Sequence, residues 1–319
     1  MTIQRLVYVG DTWMNDGTAF RNLCTAGGWQ GTAFIGSETR DPPEVQLANE
    51  GDQVLYLANR WSMLEDFDGY CRDHHFAIDA ATAVIIDLDK TALGARGRND
   101  HVINEARIKA VRQTVGSLLG DSFHPEQFEA SYNMLNRTKF HPFTADNQDY
   151  VAYLCLILGS GLISLSTLVD EIQGEQLTSF IQFLERIEDQ SSELPDQLRD
   201  LHKRIYERVQ AGDPTPFKAF RYNEYRSTVG RMGRLELDAR ANALLAHEIV
   251  ITQEVREMAS RWQSAGALLF GLSDKPDEAS VPTNSLAAQG FQPIHRTLTH
   301  AVGEAYRALG EPRHETPAR

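Results

Sequence analysis

The stretch Ala83-Val84-Ile85-Ile86-Asp87-Leu88-Asp89-Lys90-Thr91 decides the predicted fold of this chain. An apolar run that ends abruptly in two carboxylates predicts a buried strand followed by a polar loop. Because side chains alternate along a strand, Asp87 and Asp89 are expected on the same side. Ligands bind at the carboxyl ends of the strands in an open α/β sheet, and two carboxylates there can share a divalent cation. The alternative is that both Asp residues cap a loop or a helix start.

Composition places the chain among globular proteins and restricts its partners. The chain has 319 residues, 42% apolar and 24% charged, which suffices for one large core or two domains. The net charge of −13 argues against a nucleic-acid groove or an anionic membrane surface as partner, since both are bound through clustered Lys and Arg. A small anionic substrate is compatible with this charge if positive groups and a metal are focused locally.

The expected compartment is the cytoplasm. Cys24, Cys71 and Cys155 are few and widely spaced, which favours a reducing environment over a disulfide framework. The N-terminus lacks a basic segment followed by a long apolar stretch, so no signal peptide is predicted. Residues 150–169 are apolar enough to test as a membrane span, but Gly159-Ser160-Gly161 interrupts them. Two buried helices joined at that turn are predicted instead, and no pattern indicates an oligomeric state.

Two kinds of pattern divide the chain. Residues 1–98 show strand-like runs separated by Gly-rich or helical stretches, at 6–9, 32–35, 54–57 and 83–86. Residues 99–250 show apolar positions at helical spacing and no sustained strand alternation. We therefore predict a helical domain over 99–250.

A strand-like sequence pattern is found again after this insert. Helix-like residues 252–265 lead into a strand at 267–272, and a helix-like stretch at 300–309 precedes a polar tail at 311–319 that is expected to fray. The prediction is an α/β protein: residues 1–98 and 251–319 form a core with a Rossmann-like parallel sheet, and the all-helical insert forms a second domain.

The pattern Asp87-x-Asp89-x-Thr91 after an apolar strand resembles the first motif of the haloacid dehalogenase-like (HAD) hydrolases, most of which are Mg²⁺-dependent phosphatases. The resemblance implies that Asp87 is the nucleophile and forms an aspartyl-phosphate, that Asp89 is the general acid and base, and that Thr91 lies at the substrate. Lys90 departs from the family, which commonly has Gly there. An extra cation beside the nucleophile gives some support to a protein with altered chemistry.

The resemblance also implies a hydroxyl and a cation after later strands. Ser273 follows the strand at 267–272 and resembles the second motif, whose hydroxyl hydrogen-bonds the transferring phosphoryl group; alternatively it starts a turn before Pro276. Arg296, after a short predicted strand at 293–296, is the candidate for the third motif, whose charge keeps the nucleophile ionised. The family usually has Lys at that position, so Lys275 and a plain surface role for Arg296 remain open.

The acidic fourth motif of the family has its counterpart at the N-terminus. Residues 6–17 contain an apolar strand, then Gly10-Asp11, then Asp16, and the similarity continues through Gly27-Gly28 to a strand that ends at Gly36. A plain turn is the alternative for the Gly-Asp pair alone. We interpret the chain as a circularly permuted HAD fold, with Asp11 and Asp16 joining Asp87 and Asp89 as metal residues.

The insert over 99–250 stands where many family members have a helical cap, which closes over the site and selects the substrate. Arg96 and Arg98 follow the nucleophile strand closely enough to bind substrate, and a solvated loop is the equal alternative.

The resemblance predicts a Mg²⁺-dependent phosphomonoester hydrolase acting on a small phosphorylated metabolite. A phosphotransferase is an alternative, because it shares every residue and differs only in the acceptor. A catalytically silent binding or scaffold protein is the alternative from another class. A dehalogenase is disfavoured because an acid/base Asp at Asp89 suits phosphoryl chemistry.

Overall fold

A six-stranded, mostly parallel sheet organises one of the two units of the structure, which is a computed structural model describing residues 2–51 and 53–304. The strands are β1 Arg5–Gly10, β2 Gln30–Gly36, β3 Val45–Glu50, β4 Gln53–Ala58, β5 Thr82–Asp87, β6 Ile251–Thr252, β7 Leu268–Leu272 and β8 Ala301–Val302. The sheet order is β3-β4-β2-β1-β5-β7, and only β3 runs antiparallel to its neighbour. This arrangement is compatible with a Rossmann-like core.

Helices alternate with the strands in the first unit and make up the second. They are α1 Asn15–Gly27, α2 Leu64–Asp73, α3 Asp100–Leu119, α4 Pro125–Leu135, α5 His141–Thr144, α6 Gln148–Gly159, α7 Leu165–Gln173, α8 Phe180–Asp189, α9 Asp196–Gln210, α10 Lys218–Val229, α11 Ala241–His247, α12 Gln253–Ser264, α13 Asp277–Ser280 and α14 Asn284–Ala288. Of the described residues, the first unit comprises 2–51, 53–104, 231–274 and 298–304, and the second comprises 105–230 and 275–297.

The central strand β1 is apolar from Leu6 to Val9 because both faces of the sheet are covered there. Leu6 and Tyr8 pack with α1 residues on one face. Val7 and Val9 pack on the other face with residues of α2 and α12. Strands that are buried on both faces have continuous apolar sequences rather than alternating ones. This explains why the strand runs at 6–9, 32–35, 54–57 and 83–86 were recognisable, and each lies within an observed strand.

The second unit is helical, as the spacing of apolar residues predicted. Residues 99–250, all of which the structure describes, contain helices and no strand. Its core joins α3, α4, α6, α8 and α9 through large side chains that include Phe128, Tyr153, Phe183 and Ile205. Among the described residues, no helix is both long and apolar enough to cross a membrane.

The most apolar window does form two helices. α6 buries every residue from Val151 to Ile157, and residues 160–164 separate it from α7. α7 was also predicted to be buried, and this was wrong because only Leu168 of that helix is buried.

The boundaries of the units differ from the predicted ones at three places, the first being residues 99–104, which belong to the first unit. Residues 231–250 belong to the first unit, where the Asn99 amide donates to the carbonyls of Leu245 and Glu248 and accepts from Val250 N–H. Residues 275–297 belong to the second unit, where the Tyr225 hydroxyl donates to the carbonyl of Gln292 at 2.7 Å.

Two C-terminal predictions were wrong. The short strand expected at 293–296 is a 3₁₀ turn, Ile294–Arg296, closed by a hydrogen bond from Arg296 N–H to the carbonyl of Pro293. The helix expected at 300–309 begins instead with β8, which pairs in parallel with β6. The rest of that prediction, residues 305–309, and the polar tail lie outside the described residues.

Candidate active site

The carboxyl ends of β1 and β5 bring acidic residues from distant parts of the chain together. The two strands are parallel neighbours with Val9 opposite Ile86, so both chains leave the sheet at the same edge. Carboxylate oxygens of Asp11, Asp16 and Asp87 all lie within 4.8 Å of one another. The predicted meeting of these three residues is therefore confirmed, but the carboxylate of Asp89, also predicted as a metal residue, is not part of this group.

Asp16 shapes the loop between β1 and α1. Its Oδ2 accepts hydrogen bonds from Asp11 N–H at 3.0 Å, Thr12 N–H at 2.8 Å and the Thr12 hydroxyl at 2.9 Å. Its Oδ1 accepts from the buried Tyr8 hydroxyl at 3.0 Å. A Cβ at Gly10 would lie 2.5 Å from the Asp16 carboxyl carbon, so the close approach requires glycine. The Gly-Asp pattern and Asp16 thus form one structural unit.

Arg96 is the cation that contacts the cluster. Its Nε donates to Oδ2 of Asp11 in an ion pair. The Arg96 backbone is held as well, because its carbonyl accepts from Glu38 N–H at 2.9 Å and from Trp61 Nε1–H at 3.2 Å. The sequence analysis did not predict this fixed position. It offered Arg96 only as a candidate substrate-binding residue.

The segment after β5 folds into a tight turn. Ala92 N–H donates to the carbonyl of Asp87, and Leu93 N–H to that of Leu88. Lys90 N–H donates to Leu93, and Lys90 itself has a φ of 64°, in the left-handed region that favours glycine. The turn therefore needs a left-handed backbone at residue 90, a conformation that glycine adopts most easily. The family whose first motif this segment resembles commonly has Gly at this position.

The three carboxylates carry more negative charge than their surroundings neutralise. Burial, followed by the charges of Asp16 and Asp11, raises the pKa of Asp87 to about 8. Burial raises the pKa of Asp11 to about 6 although Arg96 opposes this shift. Oxygens bound to one Mg²⁺ lie at most about 4.2 Å apart, given ligand distances of ~2.1 Å. An all-carboxylate donor set at the observed spacing therefore fits a hard divalent cation after small side-chain movements.

Three other predicted residues share the first unit and its sheet edge or loops. Ser273 follows β7, whose last residue Leu272 is the register partner of Asp87, so it leaves the sheet at the same edge. Asp89 lies in the turn and its charge adds to the raised pKa of Asp87. The nearby Thr91 is fully buried, and it lowers the pKa of Asp87.

Arg98 is engaged in a structural ion-pair network. It donates to both carboxylate oxygens of the buried Glu254, at 2.8 and 2.9 Å, and to Glu38 at 2.9 Å. These contacts occupy the guanidinium and tie the loop after β5 to the start of α12. Its predicted role in substrate binding gains no support from this arrangement.

The two cations proposed for the third motif belong to the second unit. Lys275 lies near the buried Glu224: burial raises the pKa of that carboxyl, but the charges of Lys275, Arg107 and Arg221 bring it down to about 2. Arg296 ends the 3₁₀ turn instead of a strand. Arg96, by contrast, forms an ion pair with Asp11 of the acidic cluster.

No protein-family model, curated protein or solved structure matches this chain. The resemblance to HAD hydrolases therefore rests on the sequence motifs.

Proposed function

We propose that this chain is a Mg²⁺-dependent phosphomonoester hydrolase of the HAD type, circularly permuted, with the helical second unit in the sequence position of the cap. The observation that supports it most is the meeting of Asp11, Asp16 and Asp87 within 4.8 Å at the carboxyl edge of a parallel sheet. A strand–Gly-Asp segment from the N-terminus and a strand–Asp-x-Asp segment meet there, as the permuted arrangement requires.

The proposed reaction has two steps. The Asp87 carboxylate attacks phosphorus, the bond from phosphorus to the ester oxygen breaks, and Asp89 donates a proton to the leaving alcohol. Asp89 then accepts a proton from water as its oxygen attacks phosphorus, which breaks the bond to Asp87 and releases inorganic phosphate. Both carboxylates return to their starting states.

The acidic cluster is proposed to hold the cation through Asp87, Asp11 and Asp16, with the main-chain carbonyl of Asp89 as a further ligand. Mg²⁺ bound there neutralises charge and aligns the phosphoryl group. Ser273 is assigned a hydrogen bond to the phosphoryl oxygens. We assign to Arg96 the charge compensation that the sequence suggested for Arg296, because Arg96 contacts Asp11 directly.

A test of this function uses Asp87→Asn, which is nearly isosteric but lacks the nucleophile. Wild-type protein with Mg²⁺ should hydrolyse p-nitrophenyl phosphate, and the variant should lose at least about a thousandfold in kcat, as expected when the covalent step is removed. Asp41→Asn is the matched control, since Asp41 is an exposed loop residue. Beryllofluoride with Mg²⁺ should form an adduct on Asp87, visible by ¹⁹F NMR. Near wild-type activity in Asp87→Asn would exclude the aspartyl-phosphate mechanism.

A silent binding protein is the second candidate, and one contact favours it. The ion pair between Arg96 and Asp11 already compensates one carboxylate of the cluster without a metal. If that pair is permanent, Mg²⁺ should leave thermal stability unchanged and no phosphomonoester should be hydrolysed. A phosphotransferase would instead show Asp87 labelling with slow hydrolysis that a second alcohol accelerates.

A further inference from the structure

The loop that carries Asp11 also presents two large apolar side chains to solvent. Trp13 and Met14 lie between Asp11 and Asp16, and they are 40% and 79% exposed. Trp13 differs in this from the other tryptophans, since Trp61 and Trp262 are buried and Trp29 is half-buried. Exposing a tryptophan costs hydrophobic free energy, and such residues are enriched where a ring binds a partner.

The backbone of this loop is held on both sides of the exposed pair. Asp16 accepts from the N–H groups of Asp11 and Thr12, and Asp16 N–H and Gly17 N–H donate back to the Thr12 carbonyl at 3.1 and 3.3 Å. Consecutive Cα atoms are about 3.8 Å apart, so the Cα of Trp13 lies within about 7.6 Å of that of Asp11. A loop whose backbone is held in place therefore carries Trp13 two residues from Asp11, one of the acidic cluster.

The chemistry of the pair suits a flat, uncharged ring. Indole stacks on aromatic rings, and a methionine sulfur makes favourable contacts at a ring edge while adapting to its shape. The Thr12 hydroxyl already donates its proton to Asp16. The pair offers mainly π and thioether surface, with the indole N–H of Trp13 as its one side-chain donor.

We infer that the substrate is a phosphomonoester whose leaving group carries an aromatic ring, which stacks on Trp13 with the Met14 thioether against it. This inference rests on the proposed phosphatase function. It adds a substrate class to that function. It also makes Trp13 a specificity residue, which takes no part in the bond-making steps. A docking contact with another protein is the competing use of the same two side chains.

The test compares two esters that differ only in the aromaticity of one ring. The substrates are 2-phenylethyl phosphate and 2-cyclohexylethyl phosphate, whose leaving alcohols match in size and closely in acidity. Wild-type protein with Mg²⁺ should favour the phenyl ester in kcat/KM by about three- to tenfold, the range typical of aromatic pairs. Trp13→Phe should keep a preference above about twofold, whereas Trp13→Leu should bring the ratio to about one.

Trp29→Leu is the matched control. Trp29 immediately precedes β2, at the opposite edge of the sheet from Asp11, so this variant should keep the wild-type ratio. A second readout does not depend on turnover. Phenylphosphonate, which is not hydrolysed, should quench tryptophan fluorescence in the Mg²⁺-loaded wild type, and Trp13→Phe should abolish the quenching.

The outcomes separate the two proposals. Hydrolysis of both esters with the same ratio in wild type and Trp13→Leu overturns the aromatic substrate class and leaves the phosphatase function standing. Failure of the wild type to hydrolyse either ester or p-nitrophenyl phosphate overturns the function and this inference with it. Loss of the ratio in Trp13→Leu but not in Trp29→Leu supports the inference.

Discussion

Lys90, in the turn after β5, adopts a left-handed backbone conformation immediately before the fully buried Thr91. A residue with a Cβ pays a steric penalty there, about 1–2 kcal/mol for non-glycine residues in general. Glycine avoids that penalty but loses more chain entropy on folding. We therefore expect Lys90→Gly to raise the free energy of unfolding by about 0.5–1 kcal/mol, measured by urea denaturation.

The control for this expectation is Lys90→Ala, which removes the lysine side chain but keeps the Cβ. It should be no more stable than the wild type. Equal stability of the Gly and Ala variants would mean that the left-handed conformation costs little at this turn. Activity of both variants on p-nitrophenyl phosphate also shows whether the extra cation beside Asp87 matters for the proposed chemistry.

At the scale of elements, a chain of polar contacts through the buried His202 links three helices of the second unit and ends at the exposed Glu188. The Tyr153 hydroxyl of α6 lies 2.5 Å from Nδ1 of His202 in α9, and His202 Nε2 lies 2.8 Å from a Glu188 carboxylate oxygen of α8. A neutral imidazole satisfies both contacts, accepting at Nδ1 and donating at Nε2. Burial lowers the pKa of His202 below 6.5 although Glu188 opposes this shift.

The sign of the resulting pH dependence follows from this lowered pKa. Between the folded and unfolded pKa values the unfolded chain binds the proton and the folded chain does not. The stabilisation is therefore complete above about pH 6.5 and is lost as the pH falls through the folded pKa of His202. Urea midpoints measured at pH 7.5, 6.5 and 5.5 should fall with acidification.

His202→Gln should flatten that fall, since glutamine does not titrate. His124→Gln is the control, because His124 is exposed on the surface of the same unit and should leave the profile unchanged. A profile that is identical in all three proteins would show that protonation of other groups governs the acid sensitivity.

At the scale of the whole molecule, the metal prediction depends on the meeting of β1 and β5. Asp16 is buried, Asp11 and Asp87 are half-buried, and the three lie in one cluster, so a bound cation should stabilise the folded chain. At a free Mg²⁺ concentration about 100 times Kd the gain is about 2.7 kcal/mol. We expect Mg²⁺ to raise Tm in the wild type and to raise it much less in Asp11→Asn, measured by differential scanning calorimetry.

Asp41→Asn again serves as control and should show the wild-type shift. Equal Mg²⁺ shifts in wild type and Asp11→Asn would contradict a metal site that includes Asp11. Asp11→Asn also replaces one of the mutually repelling carboxylates with a neutral amide. Without metal, the Tm of this variant is therefore expected to match or exceed that of the wild type.

The sequence alone predicted those strands and helices whose hydrophobic pattern is complete within a few residues. The apolar runs at 6–9, 32–35, 54–57 and 83–86 identified buried strands, and helical spacing identified the second unit. β3 was missed because Val45–Glu50 lies at the edge of the sheet and has neither a continuous apolar run nor a regular alternation. The segment at 293–296 was misassigned because Pro293 starts a 3₁₀ turn that a short apolar run does not reveal.

At the candidate site, too, some features were predictable from the sequence and others were decided only by the tertiary structure. Two Asp-bearing strand ends were recognisable as motifs, and the parallel sheet rule predicted that their carboxylates meet. The partners of those carboxylates were decided by tertiary structure alone: Arg96 reaches Asp11, Arg98 is occupied by Glu254, and residues 275–297 join the helical unit. Backbone periodicity is a local property, whereas an ion pair between residues distant in the chain exists only once strands and loops have packed into one arrangement.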